Sequence, residues 1–267
     1  MMNYKNKRPV TLWALVTFLL LLAMSNNVFA EKDSDKTRIL FIGNSYTNWI
    51  EDALKSTLKE SNQNDKVEFS FITRGSTGLN YFAHDFDVLT KIMASKWDYV
   101  VLQEWSQGVG SSLENTKAFN DALYRFRDSL TGRSTPVLYM TWARENTQNY
   151  KSYKDMHKKV SRGYKDAAKE YGMKLAPVGI VWDKVRSELE KEGRGNELYE
   201  DDIGHPSAKG QAVITSVFFN LFFQDKLEWL KPQLRGEFTK EEWQFVTETV
   251  ASVMKRSKLY KLEKSKH

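Results

Sequence analysis

From residue 37 onward, short apolar runs alternate with longer amphipathic stretches. Ile39-Leu40-Phe41-Ile42 mixes β-branched and aromatic residues without a polar break, the pattern of a strand buried on both faces, and predicts a strand over 38–42. Trp49, Ile50, Ala53, Leu54 and Leu58 then recur at helical spacing and predict a helix over 48–61. The alternation in V-E-F-S-F-I-T gives a second strand at 67–73, and a helix starts near Leu79. A third strand follows at 97–102. The stripe Ala118, Phe119, Ala122, Leu123, Phe126 and Leu130 marks a helix over 114–130. Further strands are expected at 136–141 and 173–176, separated by a helix over 150–171 that Gly172 stops. Helices follow at 182–190, at 208–223 beyond a polar loop over 192–201, and at 240–257, where Thr239 and Glu242 have capping-box spacing. Strands and helices alternating in this way predict one α/β domain, a three-layer α/β/α sandwich around a parallel sheet.

The first 30 residues break this rhythm. Lys5, Lys7 and Arg8 precede an almost wholly apolar stretch over 12–24, and Val28-Phe29-Ala30 offers small-residue cleavage chemistry. The stretch is short against the ~20 residues of a membrane span. A Sec-type signal peptide cleaved after Ala30 is therefore expected in preference to a retained anchor, and the protein is expected to be secreted or periplasmic. Residues 31–36 read as a charged linker, 37–257 as the domain, and 258–267 as a basic tail. The formal charge is +6, of which the leader carries three positives and no acid. Much of the remaining surplus lies in 255–266, where five lysines and one arginine face one glutamate. A solvated helix end accounts for that surplus better than nucleic-acid binding does. No cysteine is present, which excludes disulfides, thiolate metal sites and a cysteine nucleophile.

Chemistry gathers at the strand ends, which share one edge of a parallel sheet. The first strand ends in Gly43-Asn44-Ser45, the second in Arg74-Gly75-Ser76-Thr77-Gly78, and the third in Gln103-Glu104-Trp105-Ser106. Asp202-Ile203-Gly204-His205-Pro206-Ser207 stands just before a helix. Of the four histidines, His267 is terminal, His157 sits among lysines on a helix, and His84 suits a structural role. His205 remains. A serine at a strand-to-helix turn, a histidine base and an orienting carboxylate are the parts of serine acyl transfer. The Ser45 N–H, the Gly75 N–H and the Gln103 amide are the available oxyanion donors, with Gly78 competing for the place of Gly75.

Gly43-Asn44-Ser45 resembles the first block of the SGNH (GDSL-like) hydrolases, with Asn in place of the usual Asp. Gly75 before Ser-Thr resembles their second-block glycine, and Asp202-x-x-His205-Pro206-Ser207 their last block. The third block departs: the usual Gly-x-Asn-Asp is replaced by Leu102-Gln103-Glu104, as in a branch of the family with Leu-Gln-Glu there. The blocks span residues 39–207 in family order, and no G-x-S-x-G argues for the α/β-hydrolase alternative. The resemblance implies a flavodoxin-like five-stranded parallel sheet and a hydrolase that needs no metal or cofactor. Its substrates would be esters, often acetyl or other acyl groups on glycans or lipids.

The expected catalytic set is Ser45, Asp202 and His205, with an oxyanion hole of Ser45, Gly75 and Gln103. Asn44, Trp105 and Trp142 are the candidate substrate rim. Simpler roles stand beside these: Asn44 and Ser45 as a helix cap, Asp201 in place of Asp202, Gly75 as a turn, and the tryptophans as core-edge packing. Arg144 is suited to pair either with an anionic substrate or with Glu145. The expected function is a secreted serine esterase acting on acyl, first of all acetyl, esters of carbohydrate or small molecules. A lipid esterase or an acyltransferase would use the same site. The rival from another class is a catalytically silent glycan-binding protein of the same fold.

Overall fold

A computed structural model describes residues 36–147 and 149–262. The expected signal peptide, most of the linker and the end of the basic tail lie outside the described residues. The chain divides into residues 1–36 and a compact unit over 37–267. Among the described residues no helix is long and apolar enough to cross a membrane.

Within the large unit the strands are β1 (Thr37–Gly43), β2 (Val67–Thr73), β3 (Tyr99–Leu102), β4 (Thr135–Tyr139) and β5 (Lys174–Ala176). All pair in parallel, in the order β2-β1-β3-β4-β5. This is the flavodoxin-like arrangement that the family resemblance implied. Ile39, Phe41 and Ile42 are wholly buried, and Phe41 packs on Phe69 and Phe71 of the neighbouring strand. The order reverses between β1 and β3, so the crevice beyond their carboxyl ends is the topological switch point where open α/β sheets bind ligands.

The helices are α1 (Ser45–Asn48), α2 (Glu51–Glu60), α3 (Leu79–Phe82), α4 (Phe86–Ala94), α5 (Leu113–Leu130), α6 (Tyr153–Glu170), α7 (Val178–Leu189), α8 (Ala208–Phe223) and α9 (Lys240–Met254). Contacts join α3 to α5 and α5 to α6, and join α2 to α8 and α7, α8 and α9 to one another, while α6 also touches α7. Phe218 of α8 meets Phe41 edge-on at 5.1 Å, which locks the apolar α8 over β1. The capping box at Thr239 and Glu242 is formed. The turn at Lys258–Tyr260 carries a buried Tyr260, so the start of the expected tail packs into the domain.

Two helices differ from their periodicity. The first begins at Ser45 rather than Asn48 and breaks at Trp49 and Ile50, because Asn44 supplies a cap directly at the strand end. The segment after Leu79 breaks likewise where the Asp85 carboxylate caps a new helix by accepting from the Asp87 and Val88 N–H groups.

Candidate active site

Ser45 is half-buried at the first position of α1. Asn44, extended and buried, accepts from the Tyr46 N–H through Oδ1 and donates through Nδ2 to the Thr77 carbonyl at 3.0 Å. One side chain thus fixes the serine turn and draws the 75–78 loop toward it. Gly43 is required by crowding. A methyl group there would sit 2.5 Å from Gln103 Oε1 and closer still to Thr47 Oγ1. Gly43→Ala is therefore expected to lower stability by about 1–3 kcal/mol by overpacking, read as a shifted urea midpoint with an unchanged m-value.

Ser45 Oγ lies 2.8 Å from His205 Nε2 although 160 residues separate them. The other ring nitrogen, Nδ1, faces Asp202 Oδ2 in a short contact. Asp202 Oδ1 accepts from the Gly204 N–H at 2.9 Å and the His205 N–H at 2.8 Å. Burial opposes ionisation of Asp202, but the His205 ring and these two N–H groups outweigh it and hold the carboxyl below its ordinary range. The neighbouring Asp201 is exposed and takes no part in this set. Between Asp202 and Gly204, Ile203 has φ 48°, a left-handed conformation that is costly for a β-branched residue and tightens the turn carrying Asp202 and His205. An antiparallel bridge between Tyr199 and Pro206 closes the base of this turn, and the Glu200 N–H donates to the His205 carbonyl.

Aromatic rings hold the histidine from two sides. Trp49, partly exposed, stacks on His205 at 5.2 Å and 23°, while buried Tyr46 meets it edge-on at 5.4 Å. Tyr46 stacks on Trp142, which stacks on Trp182. Trp142 differs from expectation. It is 0% exposed, so it is no rim residue, and its Nε1–H donates to the Gly204 carbonyl to brace the His205 loop from below. Asn44 is likewise interior, whereas Trp105 is 40% exposed.

Gln103 also differs. It is 0% exposed, and its Oε1 accepts from the Asn44 N–H and the Thr47 hydroxyl, both at 2.9 Å. Only the oxygen can accept from a backbone N–H, so the amide orientation is fixed. Nε2 donates to the Glu104 carbonyl. Gln103 therefore holds the serine turn and does not face a substrate. Gly75 is exposed with open space around it, and its carbonyl accepts from Thr77 Oγ1. Gly78 instead opens α3 beside the Glu104 carboxylate.

Sequence reasoning placed Trp49 only on the apolar stripe of a helix and Glu104 only at a strand end, neither in the site. Glu104 is 5% exposed, accepts from the Leu79 N–H at 3.0 Å and the Trp105 N–H at 2.7 Å, and is pushed by burial up to about 7. A buried acid beside Gln103 at a strand end was the available signal. His84 bonds to the Asn80 carbonyl, and His157 faces Asp183 at 3.5 Å; neither joins the site.

No protein-family model matches the chain, and no curated protein matches it either. Solved structures do. A DUF4886 family protein from Bacteroides uniformis superposes with a TM-score of 0.61 at 15% identity, covering 82% of this chain and 95% of that one. The acetyl xylan esterase AlAXEase gives 0.56 at 14% identity over 70% of this chain and 100% of that one. A catalytic mutant of Axe2, an acetylxylan esterase from Geobacillus stearothermophilus, gives 0.56 at 12% identity over 71% and 95%. The chain has the SGNH-hydrolase-like fold of these neighbours.

Proposed function

We propose that this protein is a serine ester hydrolase, exported from the cell, that removes acetyl or similar acyl groups from carbohydrate. The observation that carries the reading is the unbroken line from Ser45 Oγ through the His205 ring to the Asp202 carboxylate. Each member is in its working position: hydroxyl against Nε2, carboxylate against Nδ1.

In this mechanism His205 Nε2 takes the Ser45 proton as Oγ attacks the acyl carbonyl. Asp202 holds the imidazole in the tautomer with Nε2 free and stabilises the imidazolium that forms, with the Trp49 face beside it. The oxyanion is met by the Ser45 N–H and, in place of the exposed Gly75, by the Gly78 N–H, which Asn44 draws inward through the Thr77 carbonyl. His205 then protonates the leaving alcohol, and water activated by the same nitrogen releases the acid. The esterase names of two neighbouring folds and the exposed aromatic rings of Trp49 and Trp105 support an acyl-sugar substrate.

The test is hydrolysis of p-nitrophenyl acetate by residues 31–267, run beside Ser45→Ala, together with labelling by a fluorophosphonate. Activity and label that both vanish with the hydroxyl are expected. Equal rates in the two proteins and no label on the wild type would instead identify a binding protein.

A further inference from the structure

The edge of the sheet opposite the site carries a different chemistry. All five strands are parallel, so their starts lie together on the edge away from Ser45 and His205. Lys66 stands just before β2, Arg133 just ahead of β4, and Lys174 opens β5. The C-terminal segment crosses the same edge. Its turn at Lys258–Tyr260 contacts β5, and Leu262 lines a cavity of about 270 Å³ with Thr37, Lys66 and Tyr99 at the starts of β1, β2 and β3. Lys258 and Lys261 arrive with it.

Lys66, Arg133, Lys258 and Lys261 are exposed and Lys174 is half-buried. Among the described residues none of them pairs with a carboxylate; Arg133 reaches only the Met93 carbonyl. The acids of this edge do not offset them. Glu68 pairs with Arg38, Asp98 accepts from the Arg38 N–H, and Glu170 stands beside Lys169, which leaves Asp65 exposed. Helix ends also point here, and the helix dipole accounts for Lys59, Arg127 and Lys169 in their last turns. It does not account for cations in turns and at strand starts.

The shape of the patch says what it fits. From β2 to β5 the edge spans about 19 Å at ~4.8 Å per strand, and its cations are spread across it. A linear polymer is tracked by a charged groove, whereas a broad edge suits a plane. Half-buried Phe222, Phe223 and Leu262 line the cavity there and add apolar surface, the combination that interfacial binding uses. The apolar stretch over 12–24 joins the domain at Thr37 on this edge, so a chain drawn to a bilayer by that stretch meets it with this edge first. We propose that the basic edge docks on the surface of an anionic phospholipid bilayer and turns the Ser45–His205 edge outward. The contact is peripheral, and it stands apart from the esterase reading because no residue of the site takes part.

The experiment is co-sedimentation of residues 31–267, which hold the compact unit whole and lack the apolar stretch. The vesicles are phosphatidylcholine alone, and phosphatidylcholine with phosphatidylglycerol in equal parts. Binding to the anionic vesicles is expected, with release by added salt and little binding to the neutral ones. Lys66→Gln/Lys261→Gln should weaken it by roughly 25-fold, about fivefold per lysine, at an unchanged melting temperature. Lys151→Gln/Lys154→Gln removes the same charge around the start of α6, on the site edge, and should bind as wild type does. Equal weakening by the two pairs reduces the effect to net charge and overturns the docking edge. Failure to bind either vesicle overturns it too, and retention on polyglutamate without vesicle binding would assign the edge to a soluble acidic polymer instead. Should Lys66→Gln/Lys261→Gln fail to fold, Arg133→Gln/Lys258→Gln carries the same prediction.

Discussion

Ser45→Ala, His205→Ala and the double variant are expected to share one residual rate, each lower than wild type by about 10⁴-fold or more in kcat. Serine and histidine act as a unit: without the base the hydroxyl is a poor nucleophile, and without the hydroxyl the base has nothing to activate. Their 2.8 Å contact is the structural form of that dependence. Neither substitution disturbs the core, because Ser45 and His205 are both only half-buried, so melting temperatures should stay close to wild type. Steady-state kinetics on p-nitrophenyl acetate checks the prediction. Losses that multiply in the double variant would show that the two residues act independently, and would rule out a nucleophile-base pair.

The second large effect belongs to Glu104. Its folded-state pKa stands near 7, against an ordinary value of 4.5, because burial penalises the charged form more than the Trp105 and Leu79 N–H groups favour it. The sign follows from which state holds the proton. Between those two values the unfolded chain has released it and the folded protein has not, so stability is greatest below pH 4.5 and falls as pH rises toward 7. The fall amounts to roughly 3 kcal/mol at ~1.4 kcal/mol per pKa unit. Glu104→Gln removes the titration, so its stability relative to wild type should improve from pH 5 to pH 8 by about that amount. Urea unfolding at the two pH values measures this, and parallel profiles would refute it. Glu104→Ala behaves differently. It strands the Leu79 and Trp105 N–H groups and opens a cavity, a loss of about 2–4 kcal/mol, and it frees the backbone beside Gly78, so kcat should fall as well.

What could be read from the residues alone was what depends on local pattern. The five strands follow from unbroken or alternating apolar runs, and their parallel order from the helices between them. Asp202 and His205 were legible because three residues in one turn place them together, and Ser45 because a strand, a glycine and a cap meet there. Gln103 was misjudged because residue type says that an amide is present but not where it points. Its oxygen is claimed by the Asn44 N–H, 59 positions away. Trp142 was misjudged for a similar reason: β4 ends at Tyr139, and the chain beyond it turns inward under the Gly204 carbonyl rather than outward to the rim. The 75–78 loop is placed by the side chain of Asn44, just beyond the end of β1, which no spacing within the loop reveals.

The two halves of the Ser45–His205 contact come from opposite ends of the domain, the serine after the first strand and the histidine after the last, just ahead of α8. A parallel sheet built from such distant segments must close many large loops before its contacts form. During synthesis, the nucleophile turn therefore leaves the ribosome long before its base exists. On the mechanism proposed above, nascent and truncated chains that stop short of residue 205 are expected to carry the serine in an unreactive form. In refolding, the return of fluorophosphonate reactivity becomes a stopwatch for completion of the whole fold, and should lag any spectroscopic signal from β1 and its neighbours.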